Sequence, residues 1–200
     1  MEETNQKTKI SVVINDKNIF FKFISPFLKL IDNGKFFRKP MSWLYKIFAV
    51  IFLIAPLYAF YDMVQEFDTA SSGVIFGAIL VWIGLVGICW FSFQLWWDRS
   101  KKVLETSKDN DEFVVTPVLS HFVQTFGEWL GIFIAVFGFY ASLIALIFAG
   151  SRFYFLGDFI SEGAIALITL PILGFSIIVI SRYLAELMRA IVAIANNTKK

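Results

Sequence analysis

The stretch Glu128-WLGIFIAVFGFYASLIALIFAGS-Arg152 decides the fold of this chain. The 23 residues between its two charged ends carry no charge. As an α-helix they would reach roughly 34 Å, because each residue adds about 1.5 Å. The hydrocarbon core of a bilayer is about 30 Å thick, so the stretch predicts a membrane-spanning helix.

Small residues follow one face of this predicted helix. They recur at steps of three or four: Gly127, Gly131, Ala135, Gly138, Ser142, Ala145 and Ala149. A face without bulky side chains lets the backbone of a second helix approach closely. We therefore predict that this is the central packing helix of a small bundle, with its contact at Gly131, Ala135, Gly138 and Ser142.

A candidate mate for that face lies earlier in the chain. The 29 uncharged residues between Asp68 and Asp98 are more than one crossing needs, so some of them must lie in a loop or beyond the membrane. Within them Gly77 and Gly84 lie close to one line. We predict that these two glycines pack against the small face of the central helix.

The composition as a whole indicates a polytopic membrane protein. Of its 200 residues, 58% are hydrophobic and the mean hydropathy is +0.69, far more apolar than a soluble domain requires. We predict an all-α fold with four transmembrane helices, in which 1–42 is a cytoplasmic tail with an interfacial helix and 196–200 is a second tail. The bundle occupies 43–195 with helical cytoplasmic extensions, and its spans lie at about 43–61, 74–97, 127–149 and 163–181.

The positive charges are distributed unevenly, which predicts the orientation. Of 18 Lys and Arg residues, nine lie up to Lys46, four lie at 99–108 and four lie from Arg182 onward. The first short connection, 62–73, carries acidic residues and no Lys or Arg. The positive-inside rule therefore places both termini in the cytoplasm.

Residues 18–32, before the first span, have the pattern of an amphipathic helix. Lys22 and Lys29 share one stripe with aromatic and aliphatic neighbours on either side, which is typical of a helix on a membrane surface. A helix that packs beneath the bundle fits the same pattern. Arg38 and Lys39 follow in a basic, aromatic segment, and we predict that they anchor it at anionic lipid headgroups.

Polar residues gather on the cytoplasmic side of the third predicted span. His121, Gln124 and Glu128 share a helix face at i, i+3 and i+7. A proton relay or metal site is one interpretation, and a set of ordinary surface groups at the water boundary is the other. Helical extensions of the second and third spans would form a cytoplasmic hairpin here.

The last predicted helix continues beyond the membrane with a charged stripe. Arg182, Glu186 and Arg189 lie at i, i+4 and i+7, opposite an apolar face. An exposed ion-pair ladder explains this pattern. The alternative is a docking face for a cytoplasmic partner or for another copy of the chain.

The sequence offers no residues for catalysis. No Asp, Glu, Lys or Arg lies near the middle of a predicted span, where ion-coupled transporters place such groups. No phosphate-binding loop, metal-ligand spacing or nucleophile with a base is present, and Cys89 is the only cysteine. We therefore expect no enzyme activity, no cofactor, no metal and no nucleic-acid partner.

Two segments at the cytoplasmic edges resemble a known group of proteins. Gly34-KFFRKPMSWL-Tyr45 and Arg182-YLAELM-Arg189 resemble small bacterial inner-membrane proteins, including those catalogued as a domain of unknown function. The resemblance implies a multi-pass protein of the bacterial inner membrane and supplies no catalytic residue.

Two functional classes fit these features. The first is a non-catalytic subunit or scaffold of an inner-membrane assembly, whose partners are the lipid bilayer and other membrane subunits or copies of itself. The second is a small channel or transporter built from several copies. The aromatic spans lack a polar face that could line a water path, which favours the first class.

Cysteine accessibility tests the predicted orientation. In a variant whose Cys89 is replaced, a membrane-impermeant thiol reagent added from outside should label cysteines near Ser71 and Gly157. It should not label cysteines near Lys108 and Asn197, because the positive-inside rule places them in the cytoplasm. Labelling of position 197 from outside would contradict the topology.

Overall fold

The computed structural model describes residues 24–26, 35–65, 67–68, 70–105, 115–148 and 163–198. The predicted interfacial helix at 18–32, including Lys22 and Lys29, lies outside these residues except for a helical fragment at 24–26. Within the described residues the secondary structure is helical and no strand occurs.

Five α-helices and one π-helical segment make up the described bundle. Helix α1 is Lys35–Gln65 and α2 is Ser72–Lys102, which a 3₁₀ turn continues through Val103–Glu105. Helix α3 is Val115–Ile132, the π-helical segment is Phe133–Gly138 and α4 is Phe139–Phe148. A 3₁₀ turn at Gly163–Ile165 precedes α5, which is Ala166–Thr198.

Four helical stretches are long and apolar enough to cross a membrane. They are Phe37–Gln65, Ser72–Glu105, Val115–Phe148 and Ala166–Ala195. The predicted fold class, an all-α membrane protein with four spans, is therefore confirmed. The third of these stretches contains α3, the π-helical segment and α4, and is called the third span below.

Each span is longer than the hydrocarbon core requires. The 34 residues of the third span reach about 51 Å, against a core of about 30 Å. The excess includes the end of α2 and the start of α3, where Val103 and Val118 are buried together with Tyr45 of α1. The predicted helical extensions of the second and third spans are thus present, and they pack on α1.

The third span is the centre of the bundle. One side contacts α2 through a core that includes Val81, Ile88, Phe137 and Ala141. Another side contacts α5 along most of its length, with Leu170 packed against Ile134. Helix α1 lies against α2. The central position that the sequence predicts for this helix agrees with these contacts.

Between Gly127 and Gly138 the small face of the third span packs against α5, whereas Ala145 belongs to the core shared with α2. A Cβ atom at Gly131 would lie 2.4 Å from the carbonyl oxygen of Gly174, and one at Gly174 would lie 2.7 Å from the Cβ of Ala135. A Cβ at Gly138 would lie 2.9 Å from Leu170. The backbones meet at Gly131 and Gly174 because no side chain separates them, whereas Gly138 makes room for the Leu170 side chain.

The glycines of α2 have other neighbours. A Cβ at Gly84 would lie 2.2 Å from the ring of Tyr140, whose hydroxyl donates a hydrogen bond to the Leu80 carbonyl at 2.9 Å. Gly84 therefore makes room for an aromatic side chain of α4. Gly77 is buried in α2, and Ser142, the last residue predicted at the small-face contact, is fully buried in α4. The predicted pairing of α2 glycines with the small face is not seen at Gly131 and Gly138, because α5 covers that part of the face.

Alanine substitution tests the close contact between the third span and α5. Gly131→Ala should lower the melting temperature in detergent, because its Cβ would overlap the Gly174 carbonyl and only a backbone shift could relieve the overlap. Overpacking of this kind costs about 1–3 kcal/mol. Gly87→Ala is the matched control, since nothing lies within 4 Å of its added Cβ. Equal melting temperatures of the two variants would show that the contact between Gly131 and Gly174 has room for a methyl group.

Candidate functional site

A buried carboxylate joins three helices at one end of the bundle. Glu128 of α3 has only 5% of its surface exposed. Its Oε2 accepts a hydrogen bond from Arg99 Nη2 of α2 at 2.9 Å. Its Oε1 accepts one from Arg182 Nε of α5 at 2.9 Å and lies 2.8 Å from Nη2 of the same guanidinium. Glu128 therefore holds α2, α3 and α5 together.

Gln124 extends this arrangement by one helical turn. Its Nε2 donates to Glu128 Oε1 at 2.9 Å, and its Oε1 accepts from Arg189 Nη2. Arg189 Nε also donates to Ser120 Oγ at 2.9 Å. Both ends of the Gln124 amide are used, so the side chain has a fixed orientation. We call Arg99, Ser120, Gln124, Glu128, Arg182 and Arg189 the arginine–glutamate network.

Helix α1 joins the same end of the bundle through a tyrosine. Tyr45 is fully buried, and its hydroxyl lies 3.0 Å from His121 Nδ1. The two rings stack with centroids 5.8 Å apart. A second polar contact joins α1 to α2, because Ser42 Oγ donates a hydrogen bond to the Ser100 carbonyl at 2.6 Å. All four spans therefore meet through polar contacts at this level.

Aromatic rings surround these polar contacts. The ring of Trp96 lies 5.2 Å from that of Tyr45 and 6.0 Å from that of Trp129. Trp129 Nε1 donates to Ser92 Oγ at 2.9 Å. Large rings at this depth exclude water from the Tyr45–His121 pair and from the buried side of Glu128, which strengthens their hydrogen bonds.

Charged partners surround the buried carboxylate of Glu128. Burying a carboxylate is costly unless charged partners compensate. Here two guanidinium groups face it, and both also reach solvent: the side chains of Arg99 and Arg182 are 23% and 58% exposed. Both carboxylate oxygens accept hydrogen bonds from N–H donors, so the Glu128 side chain is held in one orientation.

The residues predicted as a polar face do lie together. His121, Gln124 and Glu128 all point into the bundle, toward α1, α5 and α2. Among the described residues, no group of three His, Cys, Asp or Glu side chains could hold a metal ion. The alternative that these are ordinary surface groups does not fit, because His121 and Glu128 are buried.

The charged stripe of α5 is used partly within the chain. Arg182 and Arg189 contact α3, as described above, whereas Glu186 is exposed. The docking face predicted at these three residues stays a prediction. Sequence reasoning missed Arg99 and Tyr45 as partners. One signal for Arg99 was present, since Arg99, Glu128 and Arg182 each lie at one end of a long apolar run, and antiparallel spans bring such ends to the same level.

The two described residues of the predicted lipid anchor have different surroundings. Arg38 is buried, with 7% of its surface exposed, and Lys39 is exposed. A guanidinium covered by protein does not face lipid headgroups. Lys39 is therefore the residue of this pair that is placed to meet them.

Two apolar cavities lie within the described bundle. One, of about 510 Å³, lies between α2 and the third span and is lined by Gly84, Gly87, Phe91, Val136 and Tyr140 among others. The other, of about 240 Å³, lies between α1 and α2 beside Pro56 and Trp82. Neither is lined by an ionisable side chain other than Tyr140 or Cys89. Their lining suits hydrocarbon and offers no arrangement for acid, base or nucleophile chemistry.

Comparison with known proteins finds no relative of this chain. No family model matches the chain, and no curated protein and no solved structure is significantly similar to it.

Substitution of Glu128 tests the structural role of the network. Glu128→Ala should lower the stability of the detergent-solubilised protein by about 2 kcal/mol, the range expected when charged hydrogen bonds are lost and their partners can still reach water. Glu186→Ala is the control, because it removes an exposed glutamate from the neighbouring helix. Thermal and denaturant unfolding would measure both. Equal stability of the two variants would mean that the ion pairs contribute nothing.

Proposed function

We propose that this chain is a non-catalytic subunit or scaffold of a membrane assembly. One observation carries the proposal: the charged groups that meet around the buried Glu128 are engaged in holding the helices together. Glu128 bridges Arg99 and Arg182, and Arg189 is held by Ser120 and Gln124. Because these charged groups hold the helices together, the surfaces that can bind lipid or another protein are the outer faces of the helices.

The distribution of burial supports this proposal. In the most apolar part of the third span 44% of residues are buried, against 17% in the first and the last span. Helices α1 and α5 therefore present wide apolar faces outside the bundle. Lipid can cover such faces as well as protein can. They are also the surfaces through which a membrane subunit binds the helices of its neighbours.

The bacterial inner membrane is part of the proposal, with both termini in the cytoplasm. The positive charges near α1, at the end of α2 and at the end of α5 support the orientation. The resemblance of the segments at 34–45 and 182–189 to small bacterial inner-membrane proteins supports the location. In this orientation the arginine–glutamate network lies at the cytoplasmic boundary.

A channel or transporter built from several copies is the alternative. Conduction requires polar groups or water along a path through the membrane. The two cavities described above are apolar, and the charged residues Arg99, Glu128 and Arg182 lie where the uncharged runs of α2, the third span and α5 end. These features favour the scaffold over the channel.

Purification in mild detergent followed by reconstitution separates the two functions. We expect other membrane proteins to co-purify with the tagged chain at fixed stoichiometry, and liposomes that contain the chain alone to pass no ions above the background of empty liposomes. The readouts are mass spectrometry of the complex and an ion-flux assay. A chain that purifies without other proteins and conducts ions would overturn the scaffold proposal.

A further inference from the structure

The larger of the two apolar cavities is a groove between α2 and the third span. Its walls are formed by residues at 84–91 of α2 and at 132–140 of the third span, and its volume is about 510 Å³. Small-molecule sites in proteins have volumes of about 300–1,000 Å³. Phe91 and Val136 line the groove and are 38% and 57% exposed, so it is open to the surroundings of the bundle. We call it the α2 groove.

The side chains around the α2 groove are held so that they do not fill it. No atom lies within 4 Å of a Cβ added at Gly87. The ring of Tyr140 packs on Gly84, and its hydroxyl donates a hydrogen bond to the Leu80 carbonyl at 2.9 Å. Rotating this ring into the groove would break a hydrogen bond away from water, which is costly. The groove is therefore a fixed feature of the fold.

The π-helical segment contributes to the wall opposite α2. Val136 and Phe137 both belong to Phe133–Gly138, and Phe137 is buried while Val136 is exposed. A π-helical turn contains more residues than an α-helical turn, so it changes the direction of the side chains that follow. Segments of this kind occur frequently at functional sites.

The charges at the two ends of the third span place the groove inside the hydrocarbon core. Only 23 uncharged residues separate Glu128 from Arg152, and a crossing needs about 20. Every placement that keeps both charges outside the core therefore includes 132–148, and with it the third-span wall of the groove. Ile132 and Tyr140 follow Glu128 by about 6 and 18 Å of helix, so the groove lies mainly in the leaflet next to Glu128.

The lining of the groove selects against water and polar ligands. Tyr140 is the only lining residue with a polar side chain, and its hydroxyl proton is already donated to the Leu80 carbonyl. A bound water molecule needs two to four polar partners, which these walls do not offer. An empty groove would leave its walls without dispersion contacts, so hydrocarbon is the occupant that the lining favours.

We propose that the α2 groove is a binding site for one acyl chain of a membrane phospholipid, from the leaflet next to Glu128. The α2 wall from Gly84 to Phe91 is about 10 Å long. A transmembrane helix of that length, with its diameter of about 10–12 Å, would occupy roughly 800–1,100 Å³, which exceeds the volume of the groove. A single hydrocarbon chain is narrow enough to enter, and lipid of that leaflet surrounds the groove at this depth.

Filling the groove with a side chain tests the site. Gly87→Phe should direct a ring into the groove and displace the acyl chain, because nothing blocks a Cβ at this position. Native mass spectrometry of the purified chain with added dioleoylphosphatidylethanolamine would measure the binding. We expect one phospholipid on the 22.9 kDa wild-type chain and binding weakened by about tenfold or more in the variant. Loss of burial for about two methylene groups is enough for such a change.

Val179→Phe is the matched control for this substitution. It adds a ring at a position of α5 that is 48% exposed and does not line the groove. We expect it to bind the phospholipid as the wild type does, and both variants to keep the wild-type helical circular-dichroism spectrum. Equal phospholipid binding by Gly87→Phe and Val179→Phe would overturn the proposal.

Photo-cross-linking of the wild-type chain gives a measurement that needs no substitution. The chain is reconstituted in vesicles of phosphatidylethanolamine and phosphatidylglycerol that contain a small amount of phosphatidylcholine with a diazirine in one acyl chain. After illumination, lipid adducts at 84–91 and 132–140 should be several-fold more frequent than at Phe175 and Val179, which are exposed on α5. An even distribution of adducts would show that the groove is no distinct site.

Benzoylphenylalanine in place of Val136 tests whether a protein fills the groove instead. Illumination in native membranes should give a lipid adduct, since Val136 lines the groove and is exposed. An adduct to a second copy or to another protein would overturn the lipid site. The scaffold function would then still stand, because it depends on the ion pairs of Glu128 and not on the groove.

Discussion

The ion pairs of Glu128 are the interaction on which the arrangement of the helices depends. Inside a bilayer, helices gain little hydrophobic free energy by choosing one another, since lipid tails are as apolar as leucine side chains. A buried carboxylate is different, because only a few groups can compensate its lost hydration. Arg99 and Arg182 supply that compensation from two separate helices, at 2.9 and 2.8 Å. Satisfying this one anion brings α2 and α5 to the same end of α3.

A contact of the opposite kind holds α5 deeper in the membrane. Where Gly131 faces Gly174 there is no room for even one additional methyl group. Close backbone contact gives dispersion attraction and no charge, and it depends on the absence of side chains. The two contacts lie about two helical turns apart on the same face of α5, at Gly174 and Arg182. Together they fix both the position and the rotation of this helix.

The number of spans and their small-residue face could be predicted from the sequence because each depends on one segment alone. Long uncharged runs predict crossings, and the spacing of Gly131, Ala135 and Gly138 defines a helix face. The partner of that face could not be predicted in this way, because glycine spacing is similar in many helices. Gly84 illustrates the difficulty, since its neighbour is the large ring of Tyr140.

Less of the candidate site than of the fold could be predicted, because the site depends on contacts between helices. The pattern of His121, Gln124 and Glu128 places three polar groups on one face, but whether that face meets water or protein depends on the other helices. The π-helical segment Phe133–Gly138 has no clear signal in its composition. Because such a segment inserts extra backbone into a turn, it changes which residues face α2 after the turn. Phe137 and Ala141 are buried there against Val81.

The outward direction of Leu184, Leu187 and Ile191 follows from the same contacts that hold α5 in place. If Arg182 and Arg189 were free, α5 could rotate and cover Leu184 and Leu187 against the third span. Their hydrogen bonds to Glu128, Gln124 and Ser120 oppose that rotation. The close approach at Gly174 opposes it too, because any other residue of α5 at that position would bring a side chain into the backbone of Gly131. The ion pairs of Glu128 thus have an effect outside the bundle, since they determine which face of α5 remains exposed.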